Sequence, residues 1–158
     1  MKSSVYILFA GMVVLLAACT NTSKNTILVN DGASLPESFN FSKMGLKVIT
    51  SFINKNQGTM ATLYGNQTAL QAAKSGSTTT TAGETFALVT WKQKADDHWF
   101  GANIPGYLQT VEYVKTTQPG NTVSYQKFEG KTLVLSNDTL HNQERIRYIL
   151  SQKASIFP

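Results

Sequence analysis

Residues 46–53 are apolar and β-branched, with Val48, Ile49, Thr50, Phe52 and Ile53 in close succession. That composition favours a strand, because branched and aromatic side chains pack well on a pleated surface. Residues 54–58 read Asn-Lys-Asn-Gln-Gly, and Asn and Gly tolerate the positive φ of a tight turn. Met60, Thr62 and Tyr64 then alternate with Thr59, Ala61 and Leu63, so a second strand follows and the pair reads as a hairpin. Asn66 is a candidate N-cap and Gly76 a helix stop, with Ala69, Leu70 and Ala73 on one face between them. The spacing predicts a helix over 67–75.

Further strands are expected over 85–93, where Phe86 and Leu88 alternate with Ala87, Val89 and Trp91, over 108–115, and more weakly over 123–128. Residues 96–106 between the first two read as a loop with its own aromatic content, and 75–83 as a short Ser/Thr/Gly-rich loop. Asn137 and Asp138 can cap a last helix over about 139–153, whose Ile146, Ile149 and Leu150 lie three and four residues apart. Strands, helix, strands, helix: the order predicts an α+β fold, an antiparallel sheet with flanking helices.

The amino terminus has a different character. Lys2 precedes an apolar run over 5–16, broken only by Gly11, and Ala17 and Ala18 follow. This is the pattern of a secretory signal, too short for a comfortable membrane span of about 20 residues. Leu16-Ala17-Ala18-Cys19 resembles the lipobox of bacterial lipoproteins. The resemblance implies a diacylglycerol on the Cys19 sulfur, cleavage before Cys19 and acylation of the new amine. Cys19 is the only cysteine, so no structural disulfide is expected. Thr20 stands where an aspartate would resemble an inner-membrane retention signal, so the expected address is the outer membrane, facing the periplasm. Residues 20–35 are rich in Thr, Asn, Ser and Lys and read as a flexible tether. The expected organisation is signal peptide 1–18, lipidated Cys19 with tether 19–35, and a folded domain 36–158.

The chain has 158 residues, 42% hydrophobic and 15% charged, which suits one globular domain and argues against disorder. The formal charge of +5 raises the question of nucleic acid. The lysines are scattered and no nucleic-acid module is present, so that partner is excluded and a solvated surface near anionic lipid is expected.

Residues 60–66, Met-Ala-Thr-Leu-Tyr-Gly-Asn, the alanine-rich helix after them, and residues 83–93, Gly-Glu-Thr-Phe-Ala-Leu-Val-Thr-Trp-Lys-Gln, together resemble the cytochrome P-460 domain. Val111-Glu112-Tyr113-Val114 and the closing Ser155-Ile156-Phe157-Pro158 fit its later segments, and the likeness covers about residues 45–158. It implies an antiparallel sheet with flanking helices, often in a dimer, so a homodimer is one expectation. The family's members carry c-type haem on a Cys-x-x-Cys-His sequence near the last helix. The matching stretch here, about 143–155, has neither cysteine nor histidine. The cross-linking lysine of the family would fall near Leu88, whose aliphatic side chain cannot make that bond. Hydroxylamine oxidation is therefore not expected, nor is a covalent cofactor.

Two readings compete for the most distinctive stretch, His98-Trp99-Phe100-Gly101. With Trp91, these side chains could line an apolar pocket for a small apolar ligand, and His98 could hold a noncovalent haem or act as acid or base. Alternatively Trp99 and Phe100 pin a loop onto the core, a reading favoured because a lone histidine has no partner. Asp96-Asp97-His98 falls short of a metal-ligand set, and no catalytic residue is identified. The expectation is a noncatalytic binding or accessory lipoprotein, with a haem-binding redox protein and a structural module of the envelope as alternatives.

Overall fold

The structure, a computed structural model, describes residues 30–77, 79–117 and 122–155. Six strands form one antiparallel sheet in simple sequence order. They are β1 (Lys47–Asn54), β2 (Thr59–Gly65), β3 (Thr85–Ala95), β4 (Asn103–Thr117), β5 (Thr122–Glu129) and β6 (Val134–Leu135). Helix α1 (Gln67–Ser75) lies between β2 and β3, and α2 (Asn142–Leu150) follows β6. The α+β class with an antiparallel sheet and helices is the one the residue pattern predicts.

Helix α1 begins where expected because the Asn66 side chain accepts a hydrogen bond from Ala69 N at 3.0 Å. It ends at Gly76, whose φ of 66° is the left-handed geometry that favours glycine. The β1–β2 turn closes through Gly58, again at positive φ.

The sheet is covered on both faces. On one, Ile49, Leu63, Phe86, Leu88 and Val114 pack against Ala69 and Ala73 of α1 and Ile146 and Ile149 of α2. Leu63 and Ile149 are fully buried, and each such side chain contributes about 1.5–3 kcal/mol. Gly65 lets α1 approach closely: a Cβ there would lie 2.5 Å from Ile49 Cδ1 and 2.9 Å from Ala69 Cβ. On the other face, Ala87, Val89, Trp91, Val111 and Tyr113 are covered by Phe41, Leu46 and Leu133.

Three boundaries differ from expectation. Residues 30–35, expected within the tether, pack on the sheet: Ala33 and Leu35 join the second cluster, and Leu108 N donates to Gly32 O at 2.8 Å. Strand β4 begins at Asn103, so the expected loop over 96–106 is shorter and its stems are a paired hairpin. Helix α2 begins at Asn142 rather than near residue 139, because Asp138 caps a preceding turn by accepting from Leu140 N at 2.9 Å. Cys19 and the signal and lipobox residues lie outside the described residues.

Candidate functional site

Strand register builds the site. Phe52, Ala61, Thr90, Thr110 and Glu129 pair successively across the sheet, and the next row on the same face runs Leu63, Leu88, Glu112, Lys127. The helices cover the apolar end of this face and leave the threonine row open. The result is a groove of about 1310 Å³, floored by Phe52, Ala61, Leu88, Thr90 and Thr110 and walled by Arg145 and Tyr148 of α2. Asn54 and Gln57 close one end from the β1–β2 turn, and His141 and Glu144 stand on the rim.

At the boundary between the covered and open halves sits Glu112, only 2% exposed. An isolated carboxylate there would cost several kcal/mol in lost hydration. Arg145 answers it with two hydrogen bonds, Nε to Oε1 at 2.9 Å and Nη2 to Oε2 at 2.6 Å. Tyr125 donates its hydroxyl to the same Oε1. The guanidinium also lies over the Tyr148 ring, 4.9 Å from its centroid. Burial, then the bond to Glu112, pushes the Tyr125 phenol far above its ordinary range, and the hydrogen bonds that Arg145 donates to Glu112 hold the guanidinium charged more firmly than usual. The phenol therefore stays protonated at neutral pH and serves as a donor.

The rim is balanced in charge. Lys127 pairs with Glu129 at 2.6 Å, and His141 Nδ1 approaches Glu144 Oε2 at 3.2 Å. The groove thus offers hydroxyl, amide and aromatic contacts over an apolar floor, with its buried carboxylate already matched. Such a lining suits an uncharged or zwitterionic, partly apolar molecule.

The chain matches no protein-family model, and no curated protein matches it.

The residues singled out in the sequence do not meet in this groove, nor do they line one pocket together. Trp91 is buried on the opposite face, where its Nε1 donates to Ala33 O at 2.8 Å. His98, Trp99 and Phe100 are exposed in the β3–β4 turn. Trp99 and Phe100 do not pin the loop to the core, because the hairpin carries them beyond it. Asp96 does not join a metal set: its carboxylate accepts from His98 N at 2.8 Å, shaping the turn. Among the described residues no three His, Cys, Asp or Glu side chains converge to hold a metal ion.

The site residues that sequence reasoning missed are Glu112, Tyr125 and Arg145. One signal was present: Glu112 stands in an otherwise apolar run, Val111 to Val114, where a charge needs a partner. Nothing in the sequence says that the partner lies 33 residues away.

Proposed function

We propose that the protein is a lipid-anchored bacterial envelope lipoprotein facing the periplasm, whose haem-less, cytochrome P-460-like domain binds a small, partly apolar molecule without transforming it. The groove is the observation that carries this reading: its apolar floor and hydroxyl-bearing row offer contacts, while its one deeply buried charge is bonded to Arg145 and Tyr125. The P-460 likeness enters for the domain alone. The residues that would hold the family's haem do not fit it, since 143–155 has no cysteine or histidine and Leu88 is buried in the core. The redox alternative has less support, because His98 is exposed and does not line the groove.

Nile red, a neutral apolar dye, tests the seat. The full chain is expected to enhance its emission, and Thr110→Trp, which fills the groove floor, is expected to abolish the enhancement. The double variant Trp99→Ala/Phe100→Ala should leave it unchanged. Undiminished enhancement in Thr110→Trp would overturn the groove as the seat. The anchor is tested separately with a fatty-acid label in cells: labelling is expected in the parent and lost in Cys19→Ser.

A further inference from the structure

Hairpin β3–β4 reaches past its neighbours. Lys92 is the last β3 residue paired with β2, and Thr110 the first β4 residue paired with β5. Beyond them the two strands stay paired with each other through Gln93↔Pro105, Lys94↔Ile104 and Ala95↔Asn103, with Gln93 N still bonded to Gly58 O at 2.9 Å. The turn beyond is held by Asp96 N to Ala102 O at 2.9 Å and Ala102 N to Trp99 O at 3.0 Å. Its apex carries Trp99, 72% exposed, and Phe100, fully exposed. Two large aromatics held in water by a well-formed hairpin have no role in the core.

The amino-terminal segment lies along this same hairpin. Leu108 N bonds Gly32 O, while the Asn30 side chain donates to Pro105 O at 2.7 Å and Gly106 O at 3.2 Å. Read backwards from Gly32 to Asn30, the chain therefore heads toward the aromatic tip. Cys19 lies eleven residues before Asn30. That length spans at most about 40 Å when fully extended.

We propose that the hairpin tip, through Trp99 and Phe100, inserts into the lipid interface of the same membrane that the acylated Cys19 enters. The proposal rests on the lipoprotein reading and adds to it a second contact and an orientation. Tryptophan is suited to this place, with an apolar ring and a polar N–H that favour the headgroup boundary. The charges nearest the tip, Lys94, Asp96 and Asp97, leave one net negative charge, so the aromatics rather than charge attraction supply the contact. The several acyl chains on Cys19 supply the stable anchor, and the tip adds an apolar contact that orients the domain on the membrane.

The test uses the lipidated protein reconstituted into vesicles of phosphatidylethanolamine and phosphatidylglycerol, with and without bromine on the acyl chains near the headgroups. The chain has two tryptophans, and Trp91 is buried, so it acts as an internal reference. Brominated lipid is expected to quench the protein's emission, and the quenching is expected to vanish in Trp99→Phe, which keeps an aromatic tip. Protein that floats with the vesicles but is not quenched overturns the tip insertion alone. Equal quenching in Trp99→Phe overturns it as well. Protein that does not float with the vesicles overturns the anchor reading and, with it, the insertion.

Discussion

Arg145 on α2 grips Glu112 on β4 with two parallel hydrogen bonds, fastening the last helix to the middle of the sheet. Removing the cation leaves a carboxylate in a site that is 2% exposed, with the Tyr125 hydroxyl as its remaining side-chain donor among the described residues. Arg145→Met is expected to destabilise the fold by about 2–3 kcal/mol, below the usual range for a fully buried pair because the guanidinium is partly in water. Adding Glu112→Leu should recover most of that loss, since no unpaired charge remains. Denaturant unfolding of the two single variants and the double variant gives the coupling.

Glu84 offers a pH dependence of known sign. Its carboxyl is buried, and Oε1 has no hydrogen-bond partner among the described residues. Burial pushes its pKa above the ordinary carboxylate value, and a backbone hydrogen bond from Thr81 pulls it only part of the way back. The folded chain then holds this proton more tightly than the unfolded chain. Its contribution to stability is fully present below the ordinary carboxylate value and is lost as pH rises through the raised one. Glu84→Gln should raise the melting temperature at about pH 7, by several degrees for each ~1 kcal/mol gained. At about pH 4, where the native group is mostly protonated, the variant should melt close to the parent.

Asn66 does more than begin α1. Its side chain accepts from Ala69 N at 3.0 Å and from Thr85 N at 3.3 Å, and donates to Gly83 O at 2.7 Å. It ties the helix start to the entry of β3. Asn66→Ala is expected to cost about 1–2 kcal/mol, and Asn66→Asp to recover only part of that, because the aspartate keeps both acceptor bonds but loses the bond to Gly83 O and sets a carboxylate oxygen against that carbonyl. Thermal melts of the two variants check the order.

Gly65 stands where α1 crosses the sheet, and an added methyl would meet Ile49 and Ala69 at distances real Cβ atoms do not adopt. Gly65→Ala should destabilise by about 1–3 kcal/mol, the usual range for an overpacked core. Gly83→Ala is the contrast. Nothing lies within 4 Å of a Cβ there, so its cost comes from its φ of 87°. A melt of each separates crowding from backbone strain.

Local chemistry was legible in the sequence, and distant pairing was not. The first hairpin, the helix over 67–75 and its two caps follow from turn residues and periodicity within a few positions of each other. Three other regions needed partners far along the chain. Residues 30–35 read as tether because they close a stretch, 20–35, rich in Thr, Asn, Ser and Lys, yet their Ala33 carbonyl is the acceptor for the buried Trp91 indole. Trp99 and Phe100 read as core or pocket on hydrophobicity alone, but the pairing of Ala95 with Asn103 projects them into solvent. Glu112 looked like one more strand residue until β-register and α2 placed Arg145 above it.

The strand order 1-2-3-4-5-6 has a kinetic consequence. Every strand pairs with its neighbour along the chain, so the sheet can assemble by successive short loop closures, the kind that cost least entropy and proceed fastest. Helix α2 follows every strand in the chain and needs the sheet in place to dock: Arg145 bonds Glu112 of β4, and just beyond the helix Ser155 N reaches back to Ile49 O. The carboxylate of Glu112 can therefore remain hydrated while the meander zips together, and loses its water when the carboxy-terminal helix brings the guanidinium down upon it.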